Sequence, residues 1–288
     1  MTSRSIKHIL DSEHLEMGPM SVKQPLPKGD LRRVSPFILL HHFGPKSAPP
    51  GTDPLDLGGH PHRGFEPVTF LYDGGIRHRD SLGNEGTLSA GDVQWMTAGK
   101  GIVHSEKASP EFLEKGGTLE GIQLWVNLPR AYKMIEPGYQ DIPAGKIPKV
   151  EKQGVSVEVV AGAYENQQGP AKTQTAILAL KVNFSEEAKL EIPIPKGFNA
   201  MGYLLSGELN FPEGEKARAE QMIIFHNEGE GVSLKGAPGT RLLFLAGEPI
   251  DEPLATYGPF VMNSQAELWD AIRDYQSGEM GILEEGIS

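Results

Sequence analysis

Residues 67–72 read PVTFLY, and Asp73-Gly74-Gly75 follow them. The run is β-branched and aromatic, which suits a pleated strand, and the Asp-Gly-Gly end predicts a hairpin-type turn. The same pattern recurs outward along the chain. Thr87–Asp92 turns into Val93–Met96, and Gly121–Asn127, Val155–Gly162, Thr175–Phe184, Met201–Leu209, Met222–Phe225 and Arg241–Ala246 read as further short strands. Gly (35) and Pro (23) make up about a fifth of the 288 residues and show no three-residue period. Their use is therefore punctuation between strands, and regular short strands of this kind predict an all-β sandwich or barrel.

Composition narrows the function classes. Hydrophobic residues are 38% and charged residues 23%, enough apolar surface for a core and too little charge for a disordered chain. Net charge is −11, and no basic stripe exists that would neutralise phosphates, so nucleic-acid binding is not expected. With no cysteine, disulfides, zinc–thiolate sites, Fe–S clusters and cysteine nucleophiles are excluded. The opening residues MTSRSIKHILDSEH turn polar before a signal core forms. The longest apolar runs, Met222–Phe225 and Leu242–Ala246, fall far short of the ~20 residues of a membrane helix. A cytoplasmic protein without a membrane segment is expected.

A weak repeat divides the chain. Phe70–Gly74 (FLYDG) resembles Tyr203–Gly207 (YLLSG), and each precedes a second apolar strand, Val93–Met96 or Met222–Phe225. Pro129 to Lys149 holds four prolines and reads as the connection. The expected domains are 1–140 and 141–288. Ser264, with Glu267 three residues later, has capping-box spacing and predicts a helix over about 264–276. Ala266, Leu268, Trp269, Ile272 and Tyr275 form its apolar stripe, and Gly278 its stop.

The chemistry lies in the histidines. His60-Pro61-His62 is one constellation, and His104-Ser105-Glu106, about forty residues on, is the other. Residues i and i+2 of a strand project from one face, so His60 with His62, and His104 with Glu106, converge in pairs. Two such strands meeting in a barrel offer three imidazoles and a carboxylate to one point, a set suited to a divalent transition metal. Glu66 is a competing carboxylate, because unbroken alternation from His60 reaches it, although Gly64 could break that register. His42, beside His41, and His78 are candidates for the pocket lining. The second half holds only His226, so no second metal is expected there.

His60–Glu66 (HPHRGFE) resembles the signature of the pirin family, within the cupin superfamily, as do Gly91–Gly99 (GDVQWMTAG) running on to His104-Ser105-Glu106, and Gly258–Asn263 (GPFVMN) before the tail helix. The resemblance covers nearly the whole chain. It implies a bicupin: two stacked antiparallel jelly-roll β-barrels with a short C-terminal helix. It implies one divalent metal per chain in the N-terminal barrel, iron foremost, with nickel, cobalt, copper, manganese or zinc as alternatives. The ligands it implies are His60, His62, His104 and Glu106, which leaves Glu66 to support the site from behind. Three neutral imidazoles and one carboxylate leave such an ion a net charge of about +1, and an iron-like centre would keep two of six positions open. The resemblance further implies a quercetin 2,3-dioxygenase-type oxidoreductase, which opens a flavonol ring with O2 and releases carbon monoxide; Glu106, the implied ligand, or Glu66 would accept the substrate's proton. The alternative it implies is an iron-dependent, redox-sensing regulator that binds a protein partner.

Overall fold

The structure is a computed structural model that describes residues 1–283. Among the described residues it is mostly β, with 55% of residues in strands and two α-helices, and its main sheets are antiparallel. The two compact units do not follow a single break in the chain. One comprises His14–Val22, Leu39–Ala144 and the chain from Ile250 onward; the other comprises Met1–Glu13, Lys23–Ile38 and Gly145–Pro249. Division at 140 therefore assigns the opening and closing segments differently from their contacts. Strand pairing and packing, rather than chain order, decide where those segments belong.

In the first barrel a seven-stranded sheet runs in the order Gly138–Ile142, Val93–Thr97, Phe65–Asp73, Gly117–Asn127, Phe37–Ala48, Met20–Leu26, Glu13–Met17. A four-stranded sheet runs Leu57–His62, Ile102–Ala108, Gly75–Asp80, Glu85–Ser89. The strand Phe65–Asp73 sits mid-sheet and is buried from Phe65 to Leu71, which explains its unbroken β-formers. Its expected hairpin does not form: Phe65–Asp73 and Gly75–Asp80 lie in different sheets, so Gly74 turns a corner between layers. Met20, Val22, Phe43, Leu55, Leu71, Ile76 and Leu88 form one core cluster of this barrel.

The second barrel repeats the plan. Its seven-stranded sheet is Ile6–Asp11, Gln221–Phe225, Asn199–Ser206, Arg241–Gly247, Ile177–Phe184, Val155–Ala161, Lys149–Lys152. Asn199–Ser206 pairs with Gln221–Phe225 as Phe65–Asp73 pairs with Val93–Thr97, and Gly207 turns the matching corner into Glu208–Asn210 of the other sheet. The FLYDG/YLLSG repeat thus marks one structural position. Where the first barrel carries histidines, the paired strands Ala188–Pro193 and Gly231–Gly236 set Leu234 opposite Leu190 and Val232 opposite Ile192, all in the aliphatic core.

The tail helix spans Gln265–Gln276, with the Ser264 side chain accepting from the Glu267 amide. The Glu267 carboxylate in turn accepts from the Asn263 amide at 2.9 Å. Its buried stripe is narrower than expected. Leu268 and Ala271 are buried, with Val103, Phe260, Met262 and Met280 in the same cluster, whereas Trp269 is 64% exposed and Ala266 faces solvent. These contacts place the helix with the first barrel. Arg63, the fourth residue of HPHRGFE, completes the attachment by donating to Asp274 Oδ2 at 2.8 Å and to the Lys100 carbonyl at 2.6 Å. Among the described residues no helix is long and apolar enough to cross a membrane.

Candidate metal centre

His60 and His62 lie on the strand Leu57–His62, and His104 and Glu106 on its antiparallel neighbour Ile102–Ala108. His104 stands directly opposite His60, and Ile102 opposite His62. The period of two therefore turns all three imidazoles to one face. Their ring centroids are 4.4 Å (His60–His104), 4.9 Å (His60–His62) and 5.0 Å (His62–His104) apart. One ligand nitrogen from each lies within 4.8 Å of the others. A bulge follows His104, so Glu106 pairs with Leu57. The carboxylate stands beside the imidazole trio, outside that 4.8 Å set.

The protonation states suit a cation. The Gly58 carbonyl lies 2.9 Å from His60 Nδ1; a carbonyl only accepts, so Nδ1 carries the hydrogen and Nε2 is left with its lone pair. Both ring nitrogens of His62 and of His104 are buried without a hydrogen-bond partner. Burial, reinforced by the neighbouring His60, holds both imidazoles well below their ordinary pKa, so they are neutral. Burial also pushes the Glu106 carboxyl up, opposed by His60, Gln123 and Thr69. Orphaned imidazole nitrogens cost free energy unless something binds them. Two neutral, unpartnered imidazoles and the His60 ring beside a buried carboxyl are a donor set that a divalent transition metal satisfies, and the residues fit such an ion.

Three residues around Glu106 were not legible as site residues. Gln123 Nε2 donates to Glu106 Oε2 at 3.1 Å, and the Thr69 hydroxyl donates to Oε1 at 3.4 Å. Trp125 Nε1 donates to Gln123 Oε1 at 3.2 Å, which fixes the Gln123 amide with its NH2 toward the carboxylate. In GIQLWVN, Gln123 and Trp125 alternate with Ile122, Leu124 and Val126; a polar residue at period two inside an apolar strand was the available signal. Lys133 was also missed. Its ammonium donates to the Gly64 and Val261 carbonyls and to Asn127 Oδ1, and burial lowers its pKa to about 7.

Glu66 does not stand behind the imidazoles. Gly64 has φ +85°, and a Cβ there would lie 2.0 Å from the Val261 carbonyl oxygen, so only glycine makes this kink. The new register gives Phe65 to His62, with centroids 5.1 Å apart, and Thr69 to Glu106. Glu66 takes the opposite face, where it accepts from the Thr97 hydroxyl at 2.8 Å. There burial pushes its carboxyl up to about 7, with Trp95 and Thr97 opposing. The folded state thus holds the Glu66 proton more tightly than the unfolded chain, so stability falls as pH rises from about 4.5 to about 7 and then levels. Glu66→Gln removes that loss. Urea unfolding should show the variant more stable by up to roughly 3 kcal/mol at pH 8 and nearly equal at pH 4. An equal stability difference at both pH values excludes this account.

His42 is likewise not a pocket residue. It is 1% exposed and its Nε2 lies 3.2 Å from Glu120 Oε1 in a buried pair. The pleat gives the cavity to its neighbour His41, which lines a small chamber together with Glu106, Gln123, Met17 and Met20. Burial lowers the His41 pKa to about 4. His78 is placed opposite Glu106 in register, stacked on Tyr139 at 5.1 Å and 33°, with Nε2 3.9 Å from Asp141. Burial lowers its pKa, against Asp141, Asp80 and Glu85. Gly86 makes room for it: a Cβ there would lie 2.3 Å from His78 Nε2.

Known proteins share this layout. The family described as Pirin matches residues 19–126, and that described as the Pirin C-terminal cupin domain matches residues 179–281. A Pseudomonas aeruginosa protein provisionally named a quercetin 2,3-dioxygenase is 41% identical over 250 residues, 86% of this chain and 87% of that protein. Pirin of Homo sapiens is 37% identical over 282 residues, 95% of this chain and 92% of that one. The crystal structure of a quercetin 2,3-dioxygenase from Acinetobacter baumannii has a TM-score of 0.92 and 36% identity, covering 98% of this chain and all of that chain.

Proposed function

The chain belongs to the pirin family, and we propose that its first barrel is a metal-dependent dioxygenase of the quercetin 2,3-dioxygenase type. The reaction would open a flavonol ring with O2 and release carbon monoxide. The observation that carries the reading is the trio of His60, half-buried, with the buried His62 and His104, and the Glu106 carboxyl beside it. Likeness to relatives bearing that activity in their names supports it. We propose His60, His62, His104 and Glu106 as the residues that hold the metal, with iron as its identity. When bound, the ion supplies positive charge that favours a deprotonated flavonol and lets it meet O2.

The chain's own residues supply the remainder. Glu106 is the proton acceptor for the flavonol hydroxyl: Oε2 accepts from the Gln123 amide and keeps a lone pair for the ion, and Oε1, which accepts only a long 3.4 Å contact from Thr69 among the described residues, receives the proton. Trp125 holds Gln123 in the orientation that keeps Glu106 aimed. Met17, Met20, Val22, Phe43, Leu55 and Leu57 give the chamber beside Glu106 an apolar wall that limits water. That chamber is about 30 Å3, room for a few water-sized molecules and far below the ~300–1,000 Å3 of usual small-molecule sites. A flavonol therefore enters only as Met17 and Met20 swing aside, and unbranched methionine suits such a shift.

The same small volume favours a second reading: an iron-dependent, redox-sensing protein whose task is to bind a protein partner. Oxygen uptake with quercetin separates the two. The iron-loaded protein is expected to consume O2 with quercetin and release carbon monoxide. A folded, iron-loaded protein that leaves quercetin unchanged in air defeats the dioxygenase reading and leaves the regulatory one.

A further inference from the structure

The second barrel carries a cleft that the metal chemistry does not use. Its volume is about 430 Å3, within the usual ~300–1,000 Å3 of small-molecule sites. It lies between the segment Leu31–Ser35 and the strands Ile6–Asp11 and Gln221–Phe225. All of its lining residues belong to this one unit.

Its charge is opposite to that of the chain. The protein has a net charge of −11, yet Lys7, His8, Arg33 and His226 all line the cleft and no Asp or Glu does. Among the described residues Lys7 has no ion-pair partner. The carboxylate of Glu228, two residues past His226, accepts from the Ser5 hydroxyl at 2.6 Å and also interacts electrostatically with His226, at the edge of the cleft. The fixed charges of Lys7 and Arg33 in one cleft raise the local concentration of anions.

The walls are built in advance. Asn199 Nδ2 donates to the Ser35 carbonyl at 2.7 Å, and Asn227 Nδ2 donates to Asn199 Oδ1 at 3.0 Å, tying the loop to the strand ends. Val34 and Phe37 exchange backbone hydrogen bonds of 2.9 and 2.8 Å, which close the loop on itself. Val34, Ile224 and Phe225 add an apolar lining between the polar groups. Such preorganisation lowers the cost of binding.

We propose that this cleft binds a small organic anion: a carboxylate or phosphate group met by Lys7 and Arg33, carried on an apolar, aromatic-sized body that covers Val34, Ile224 and Phe225. The guanidinium provides forked hydrogen bonds and the lysine a point charge. The two imidazoles and the two amides complete the polar rim.

Isothermal titration calorimetry on the full-length, metal-loaded protein tests this with four probes: 2-naphthoate, 2-naphthyl phosphate, the neutral 2-naphthamide and inorganic phosphate. One naphthyl anion per chain is expected to bind at least about tenfold more tightly than the neutral amide and than inorganic phosphate. Tighter naphthyl phosphate identifies phosphate esters as the natural class, and tighter naphthoate identifies carboxylates. Lys7→Ala with Arg33→Ala should weaken the anion at least about tenfold at unchanged melting temperature. Both positions are at the surface or half-buried, so the fold should persist. His60→Ala with His104→Ala should leave the affinity unchanged, which separates this cleft from the first barrel's centre. The proposal is overturned if the Lys7/Arg33 variant binds as wild type, if the amide or inorganic phosphate binds equally well, or if the histidine variant loses binding.

Discussion

Glu106→Gln is expected to lower the rate of quercetin turnover in air at least about 100-fold, the scale for loss of a general base. The exchange keeps the size of the side chain and an oxygen for the Gln123 amide, which now sits 3.1 Å from Oε2. What disappears is the negative charge and the proton acceptor. Three neutral imidazoles with a neutral amide would leave a divalent ion its full charge, which disfavours both its retention and release of product acid. Rate and metal content measured on the same sample divide the two roles. A slow enzyme that keeps its metal marks Glu106 as base, and one that loses both marks it as ligand. Glu66→Gln, on the far face of the sheet beside Thr97, should change the rate by no more than about threefold, since it touches neither substrate nor ligand. A Glu106→Gln protein with wild-type turnover refutes the assignment.

The second large effect concerns the metal. His60→Ala with His104→Ala should yield folded protein without stoichiometric metal, read by elemental analysis. The same pair provides a stability signature. In metal-free protein the buried nitrogens of His62 and His104 lack partners, at roughly 1–3 kcal/mol for each unsatisfied group. Metal loading should therefore raise the melting temperature of the wild type by about 5 °C or more. The double variant should show no such rise on addition of Fe(II) or Ni(II). Full metal occupancy in the variant would falsify the site.

The imidazole trio was legible because its geometry is local. His60 and His62 are two residues apart on one strand, His104 faces His60 on the next, and strand alternation does the rest. The repeat was legible for a similar reason. FLYDG and YLLSG each hold a mid-sheet strand ending at a corner glycine, and that demand recurs once per barrel. Ser264 and Glu267 marked the start of the tail helix because capping satisfies amides within one turn.

Other features depended on neighbours remote in sequence. Gly64 bends the chain because the Val261 carbonyl lies where its Cβ would be, and that bend sends Glu66 to the opposite face. His41 and His42 are interchangeable as letters; Glu120 on an adjacent strand takes His42 and leaves His41 to the cavity. Trp269 belongs to the helix pattern, yet the cluster that takes up Leu268 and Ala271 does not include it and leaves it exposed.

By itself the sequence determined the β architecture, its duplication, the three imidazoles and the capped helix, since each follows from periodicity or from contacts within a few residues. Only the tertiary structure decided which carboxylate stands beside the imidazoles, which histidine reaches the cavity, and which barrel receives each end of the chain. Those outcomes rest on steric exclusion and hydrogen-bond satisfaction between residues some forty to two hundred positions apart, which no local pattern encodes.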